Sequence, residues 1–280
     1  MCPTVIFVHG MWSLPGVWDG WMRRFETRGY ACVAIALPGH GDNLPDCALN
    51  GIGMADYAAA VERVALACDH PVLIGHSLGG LIAQQASTRL ALSAAVLVNS
   101  AVPAPVFPLR PIMLPGLTRH FLKWGLWRGS FRLSRREANH LLFNALSRDQ
   151  QDACYEHLTA ESGRVAYELG FGRLNWTGSN RVDRQAISCP LLALSGVRDR
   201  IVPIGASRRM SAWYGKRIDF REYAGHAHWI LSEQDWTARA DEVLEWLDQA
   251  VPSGARRSTC IDPRSICKRE NYAEEICTGR

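Results

Sequence analysis

A serine between glycines, an aspartate after a late apolar run and two histidines near the end of the chain are the side chains best suited to attack a carbonyl. Gly75-His76-Ser77-Leu78-Gly79, followed by Gly80, fits G-x-S-x-G. A serine at a sharp strand-to-helix turn is held in a strained conformation, and glycines two positions to either side let strand and helix approach closely. The hydroxyl is presented at the edge of a sheet, and the helix N-terminus behind it favours developing negative charge. Acyl transfer also needs two backbone N–H donors aimed at the tetrahedral oxyanion. Leu78, just after the serine, supplies one. Met11, in His9-Gly10-Met11-Trp12 after the first apolar run, supplies the other. Trp12 and Trp18 either flank the pocket mouth or pack in the core.

A serine nucleophile needs a base, and the base needs an orienting acid. For this elbow the chain order is serine, acid, histidine. Asp199 lies in Ser195-Gly196-Val197-Arg198-Asp199, just past a late apolar run; Asp183 is the weaker alternative because it precedes that run. Gly225-His226-Ala227-His228-Trp229 offers two imidazoles. The residues alone favour neither His226 nor His228.

These groups need a scaffold. Short apolar runs alternate with longer amphipathic ones, the pattern of a parallel sheet with crossover helices. Strands are expected at 5–8, 32–36, 71–74, 94–98, 191–194 and 217–223, and helices at 18–28, 54–68, 78–90, 204–214 and 236–250. Uninterrupted apolar strands imply a sheet covered on both faces. Between 103 and about 185 the alternation stops. Helices are expected at 117–127, 135–145 and 150–162, with no strand, so this stretch reads as a helical insertion. The core is then 1–102 with 186–250, and 251–280 reads as a disordered tail.

The 280 residues are 48% hydrophobic and 21% charged, with a formal net charge of +4. Those proportions exclude wholesale disorder, collagen and coiled-coil rods. The arginines are scattered among acids, which argues against nucleic acid as a partner. No apolar run approaches the roughly 20 residues of a membrane span. Met1-Cys2-Pro3 runs straight into Thr4–Val8 with no basic region, so a cytoplasmic protein is expected rather than a secreted one. Nine cysteines without a C-x-x-C pair point to no metal site and to mostly reduced, buried thiols.

Several segments together resemble the α/β-hydrolase fold superfamily from residue 4 to about residue 250. They are His9-Gly10-Met11, Leu37-Pro38-Gly39-His40-Gly41, the Gly-His-Ser-Leu-Gly-Gly elbow, Gly196-Val197-Arg198-Asp199 with Pro203, and Gly-His-Ala-His-Trp. The resemblance implies a mostly parallel central sheet flanked by helices, with the N-terminal edge strands lost or shortened. It makes 103–185 a cap, or lid, over the active site. In relatives a glutamate commonly follows the catalytic histidine by five positions. His228 with Glu233 fits that spacing, whereas His226 fits the common Gly-His pair, and the balance favours His228. Ala36 stands where relatives often carry aspartate. Ser77 in place of a nucleophilic aspartate argues against the epoxide hydrolase and dehalogenase branches.

The expected chemistry is hydrolysis of an ester, thioester or lactone of a small apolar or aromatic molecule. It uses a Ser77-His228-Asp199 triad, an acyl-enzyme and no cofactor. Trp12, Phe121 and Trp124 are the expected substrate contacts, and Arg132, Arg135 and Arg136 are either a solvated face or an attraction for a carboxylate. The same triad type also serves carbon–carbon lyases and hydrolases, of the hydroxynitrile-lyase or ring-fission-product kind, and cofactor-free peroxidases. A small-molecule receptor with residual hydrolysis is a further class.

Overall fold

Every side chain of β1 (Thr4–Val8) is buried, because successive residues face opposite sides of a sheet that is covered on both. Val5 and Phe7 join one core, and Ile6 and Val8 the other. The structure, a computed structural model, describes residues 3–41, 43–106, 120, 125–170 and 177–251. In chain order the strands are β1, β2 (Ala31–Ile35), β3 (Val72–His76), β4 (Ala94–Val98), β5 (Ser130–Phe131), β6 (Glu161–Ser162), β7 (Leu191–Gly196) and β8 (Ile218–Tyr223). The helices are α1 (Asp19–Glu26), α2 (Met54–Leu66), α3 (Leu78–Ala86), α4 (Arg135–Leu141), α5 (Arg148–Glu156), α6 (Gly163–Gly170), α7 (Ile204–Tyr214) and α8 (Trp236–Ala250).

Six strands form the main sheet in the order β2-β1-β3-β4-β7-β8, and each adjacent pair is parallel. Residues of α2, α3 and α7 build the core on one face, for example Tyr57, Val61, Leu81 and Met210. Trp18, α1 and α8 build the other, with Trp21, Phe25, Val243 and Leu247. Trp18 is wholly buried with its ring 5.0 Å from that of Phe7, so it is a core residue and not part of a pocket mouth. β2 and β3 lie on opposite sides of β1. The loops after β1 and β3 therefore leave in opposite directions and open a crevice at the C-terminal ends of the strands.

The stretch between β4 and β7 departs from a purely helical reading. β5 and β6 pair antiparallel, Ser130 with Ser162 and Phe131 with Glu161, and residues 163–170 form a helix. Two-residue strands carry no period of their own, and they form only because the chain returns to the same place. α5 begins at Arg148, earlier than its apolar spacing suggests, because Ser147 and Gln150 close a capping box: Gln150 N–H donates to Ser147 Oγ (3.4 Å) and Ser147 N–H to Gln150 Oε1 (3.0 Å). Of the expected helix at 117–127, only 120 and 125–127 are described, and Leu126–Arg128 form a 3-10 turn. Residues 252–280 lie outside the described residues. Cys32, Cys154 and Cys189 form no disulfide, whereas Cys68 is disulfide-bonded.

Candidate active site

Ser77 follows β3 directly and has φ 53° and ψ −117°, a left-handed backbone that costs on the order of 1–3 kcal/mol for a residue with a side chain. The turn is held from β4: Ser77 N–H donates to Val98 O (3.0 Å), and Ala101 N–H donates to Ser77 O (2.8 Å). Glycine is required on both sides. A Cβ on Gly75 would fall into the backbone of Gly79, and one on Gly79 would lie 2.7 Å from His9 O.

The loop after β1 rests on this elbow. A Cβ on Gly10 would meet Ser77 Cβ and His76 Nδ1 at 3.0 Å. His9 is fully buried. Its Nε2 accepts the Leu37 N–H (3.2 Å), which puts the proton on Nδ1 and lets that nitrogen donate to Gly10 O (2.9 Å). Burial, reinforced by the neighbouring His40, holds its pKa down to about 3. Neutral His9 thus ties the loop to the segment that follows β2. Among the described residues neither the Met11 nor the Leu78 N–H donates to a backbone carbonyl. Leu78 opens α3, where the first amides have no helical partner.

In the loop after β8 the two histidines take different partners. His228 Nδ1 lies 2.7 Å from Asp199 Oδ2. The other oxygen, Oδ1, accepts the N–H groups of Ile201 and Val202, each at 2.8 Å. That carboxylate is fixed before it meets the ring. His226 turns instead to Glu233, with Nδ1 3.1 Å from Oε2. Glu233 also accepts the Ala227 and Trp229 N–H groups at 2.8 and 3.1 Å. The glutamate five residues beyond His228 therefore shapes the loop that carries it.

Two residues join this loop to the elbow. His76 Nε2 donates to His228 O (2.9 Å), and the His76 and His228 rings lie 4.8 Å apart. Burial, and then the nearby His228, keep His76 far below the ordinary histidine range and hence neutral. Asn99, at φ 44° after β4, donates to Ala227 O (2.7 Å) and His228 O (2.9 Å) and accepts Gly196 N–H (2.7 Å). Sequence reading overlooked Asn99. Its one local signal is its type, since asparagine tolerates the left-handed region better than most residues.

The sequence-predicted residues thus divide. Ser77, Leu78, Met11, Asp199 and His228 come to one end of the sheet. Trp12 lies beside them but is buried, its ring 5.5 Å from that of Phe131, and its indole N–H has no partner among the described residues. Phe121 and Trp124 lie outside the described residues. Asp183 caps a turn before β7 by accepting Gln185 N–H (3.0 Å). No cluster of three or more His, Cys, Asp or Glu suited to a metal exists among the described residues. Two of the arginines after β5 are engaged: Arg132 is bidentate to Asp46 at 3.0 and 2.7 Å, and Arg135 pairs with Asp152 and Glu156 and stacks on Tyr155.

The segment between β4 and β7 touches the loops after β1, β7 and β8. Thr159 N–H donates to Trp12 O (2.9 Å). Asn144 Nδ2 donates to Arg198 O (3.0 Å), and Arg200 donates to His140 O (3.1 Å), so both neighbours of Asp199 are held. Phe143 packs edge-on against Trp229 at 4.9 Å.

A sequence model of the alpha/beta hydrolase family matches residues 5–240. A pimeloyl-[acyl-carrier protein] methyl ester esterase of Xanthomonas axonopodis pv. citri is 28% identical over 261 residues, which is 90% of this chain and 96% of that protein. A non-heme chloroperoxidase of Kitasatospora aureofaciens is 25% identical over 268 residues, 88% of this chain and 92% of its own. Among solved structures, the monoacylglycerol lipase of Paleococcus ferrophilus superposes with a TM-score of 0.65 at 22% identity, covering 89% of this chain and 96% of that one.

Proposed function

The chain belongs to the alpha/beta hydrolase family and is a hydrolase, and from that premise we propose that it cleaves a small ester, thioester or lactone through an acyl-serine. Ser77 is the nucleophile, His228 the base and Asp199 the group that orients the imidazole. The observation that carries this reading is the buried His228–Asp199 pair, bonded through the His228 carbonyl to the residue preceding Ser77. With Asp199 on Nδ1, Nε2 is the ring nitrogen left to take the Ser77 proton. The alkoxide forms as that proton moves, attacks the carbonyl carbon, and the tetrahedral oxyanion is met by the Met11 and Leu78 N–H groups. The proton then passes from His228 to the leaving alcohol or thiol. Water, deprotonated by the same nitrogen, releases the acid and restores Ser77.

The insertion at 103–185 is proposed as the cap. Its bonds to the loops of Met11, Asp199 and His228 support that, since a segment so attached borders whatever enters the crevice. Trp12, Phe121 and Trp124 are proposed to contact an apolar or aromatic acyl group. The name of the esterase relative makes an acyl thioester carrying a methyl ester one substrate to try. No helix among the described residues is long and apolar enough to cross a membrane. A cytoplasmic location is part of the proposal; fractionation of host cells tests it, and enzyme found outside the cytoplasm overturns it.

A panel of p-nitrophenyl and methyl esters, assayed with the wild type and Ser77→Ala, tests the central reaction. Turnover in the wild type and a loss of about ten-thousandfold in the variant are expected. Equal rates in the two proteins reject the acyl-serine.

The chloroperoxidase relative favours one second reading. The same acyl-serine, attacked by hydrogen peroxide in place of water, releases a peracid. Halide oxidation that requires both peroxide and a carboxylic acid, and that vanishes in Ser77→Ala, marks that activity.

A further inference from the structure

Beneath the loop after β1 lies a carboxylate that the proposed hydrolysis does not use. Glu161 is in β6, within the insertion, and is wholly buried. Its Oε1 accepts the Tyr57 O–H (2.7 Å) and the Ser162 N–H (2.6 Å). Its Oε2 accepts the Trp12 N–H (3.3 Å) and lies 3.4 Å from His40 Nε2. Tyr57 remains a phenol there, because burial and then the neighbouring Glu161 push its pKa far up.

Trp12 is the residue after Met11 and has φ 59°. Its two backbone polar groups are both bound by the insertion: the N–H by Glu161, the C=O by Thr159 N–H. A left-handed tryptophan is strained and persists only where its surroundings fix it. The peptide plane between Met11 and Trp12 carries the Trp12 N–H, so binding that group sets one side of Met11. His9, acting on Gly10 O, sets the other.

We propose that Glu161 is a positioning residue, which holds the Met11–Trp12 peptide from below so that the Met11 N–H faces the oxyanion. This rests on the Ser77 reading above. The chemistry demands a carboxylate. Three of the four groups around it, the Trp12 and Ser162 amides and the Tyr57 hydroxyl, are donors. An amide in its place has one acceptor oxygen and sets an NH2 against them. The insertion thereby aims a donor of the catalytic core as well as covering it.

The test is the rate of labelling by a fluorophosphonate, whose phosphoryl oxygen needs the same donors as the oxyanion, together with kcat and KM on an ester. Deleting an oxyanion donor outright costs about 10²–10³-fold. Glu161→Gln mis-aims one, so a loss of about 10- to 100-fold in labelling and kcat is expected, with KM within about threefold. Tyr57→Phe, which removes one of the two donors to Oε1, should lose about threefold in the same two rates. A merely structural role would lower melting temperature or active fraction without slowing the remaining molecules. Glu161→Gln that is folded and labelled at the wild-type rate overturns the proposal. If that variant does not fold, Tyr57→Phe decides, and an unchanged labelling rate there is equally fatal. Wild-type protein that is not labelled at Ser77 at all condemns the acyl-serine reading instead.

Discussion

His228 Nδ1 and Asp199 Oδ2 are 2.7 Å apart, and both side chains are buried. His226, two residues away, is committed to Glu233. The two histidines should therefore respond differently to replacement. His228→Ala should reduce kcat by about 10⁴-fold, whereas His226→Ala should lose less than about tenfold, since Glu233 keeps its two amide donors. Steady-state kinetics on one ester settles this, and the reverse ranking would move the base to His226.

Ser77, the proposed nucleophile, is also strained. Ser77→Ala keeps the side-chain penalty at φ 53°, whereas glycine populates that region freely. Ser77→Gly should thus be inactive yet about 1 kcal/mol more stable than Ser77→Ala in urea unfolding. Equal stability would mean that the elbow stores no strain.

Asn99 joins β4, β7 and the loop of His228 with three bonds. Asn99→Ala leaves the Gly196 N–H and the Ala227 C=O buried without partners. A cost of about 2–4 kcal/mol is expected, with kcat falling because the His228 loop loses one of its ties. Stability within about 0.5 kcal/mol of the wild type would assign the loop's position to His76 and Glu233 alone.

Neutral, buried His9 gives a pH dependence with a definite sign. Its pKa is about 3 in the folded chain and near 6.5 when unfolded. Below pH 6.5 the unfolded chain takes up a proton that the folded one refuses. Stability is therefore full above that pH and falls as pH drops, by up to about 1.4 kcal/mol per pH unit from this group. His9→Gln should be less stable at pH 7 but should show a shallower slope between pH 6 and 4. Parallel slopes would mean that His9 accepts a proton in place.

The core strands were legible because an apolar run buried on both faces leaves a continuous trace, and Val5–Val8 or Ala94–Val98 carry it. The elbow was legible for the same kind of reason: Gly75 and Gly79 are set by backbone contacts that admit nothing larger. The missing parts depend on residues distant in the chain. Trp12 and Glu161 are 149 positions apart, and no window of sequence shows that an N–H of the first needs the carboxylate of the second. β5 and β6 are two residues each, too short for a period. His226 and His228 are one residue type two positions apart; the residues alone favour neither, and the distant partners that separate them, Asp199 for His228 and Glu233 for His226, show only in the fold.

A crystal structure of the protein after reaction with a fluorophosphonate would show the nucleophile, base and donors at once. Phosphorus should be bonded to Ser77 Oγ, its oxygen within hydrogen-bond reach of the Met11 and Leu78 N–H groups, with His228 Nε2 facing the adduct. Phosphorus on another residue, or an oxygen turned away from both amides, would contradict the acyl-serine mechanism.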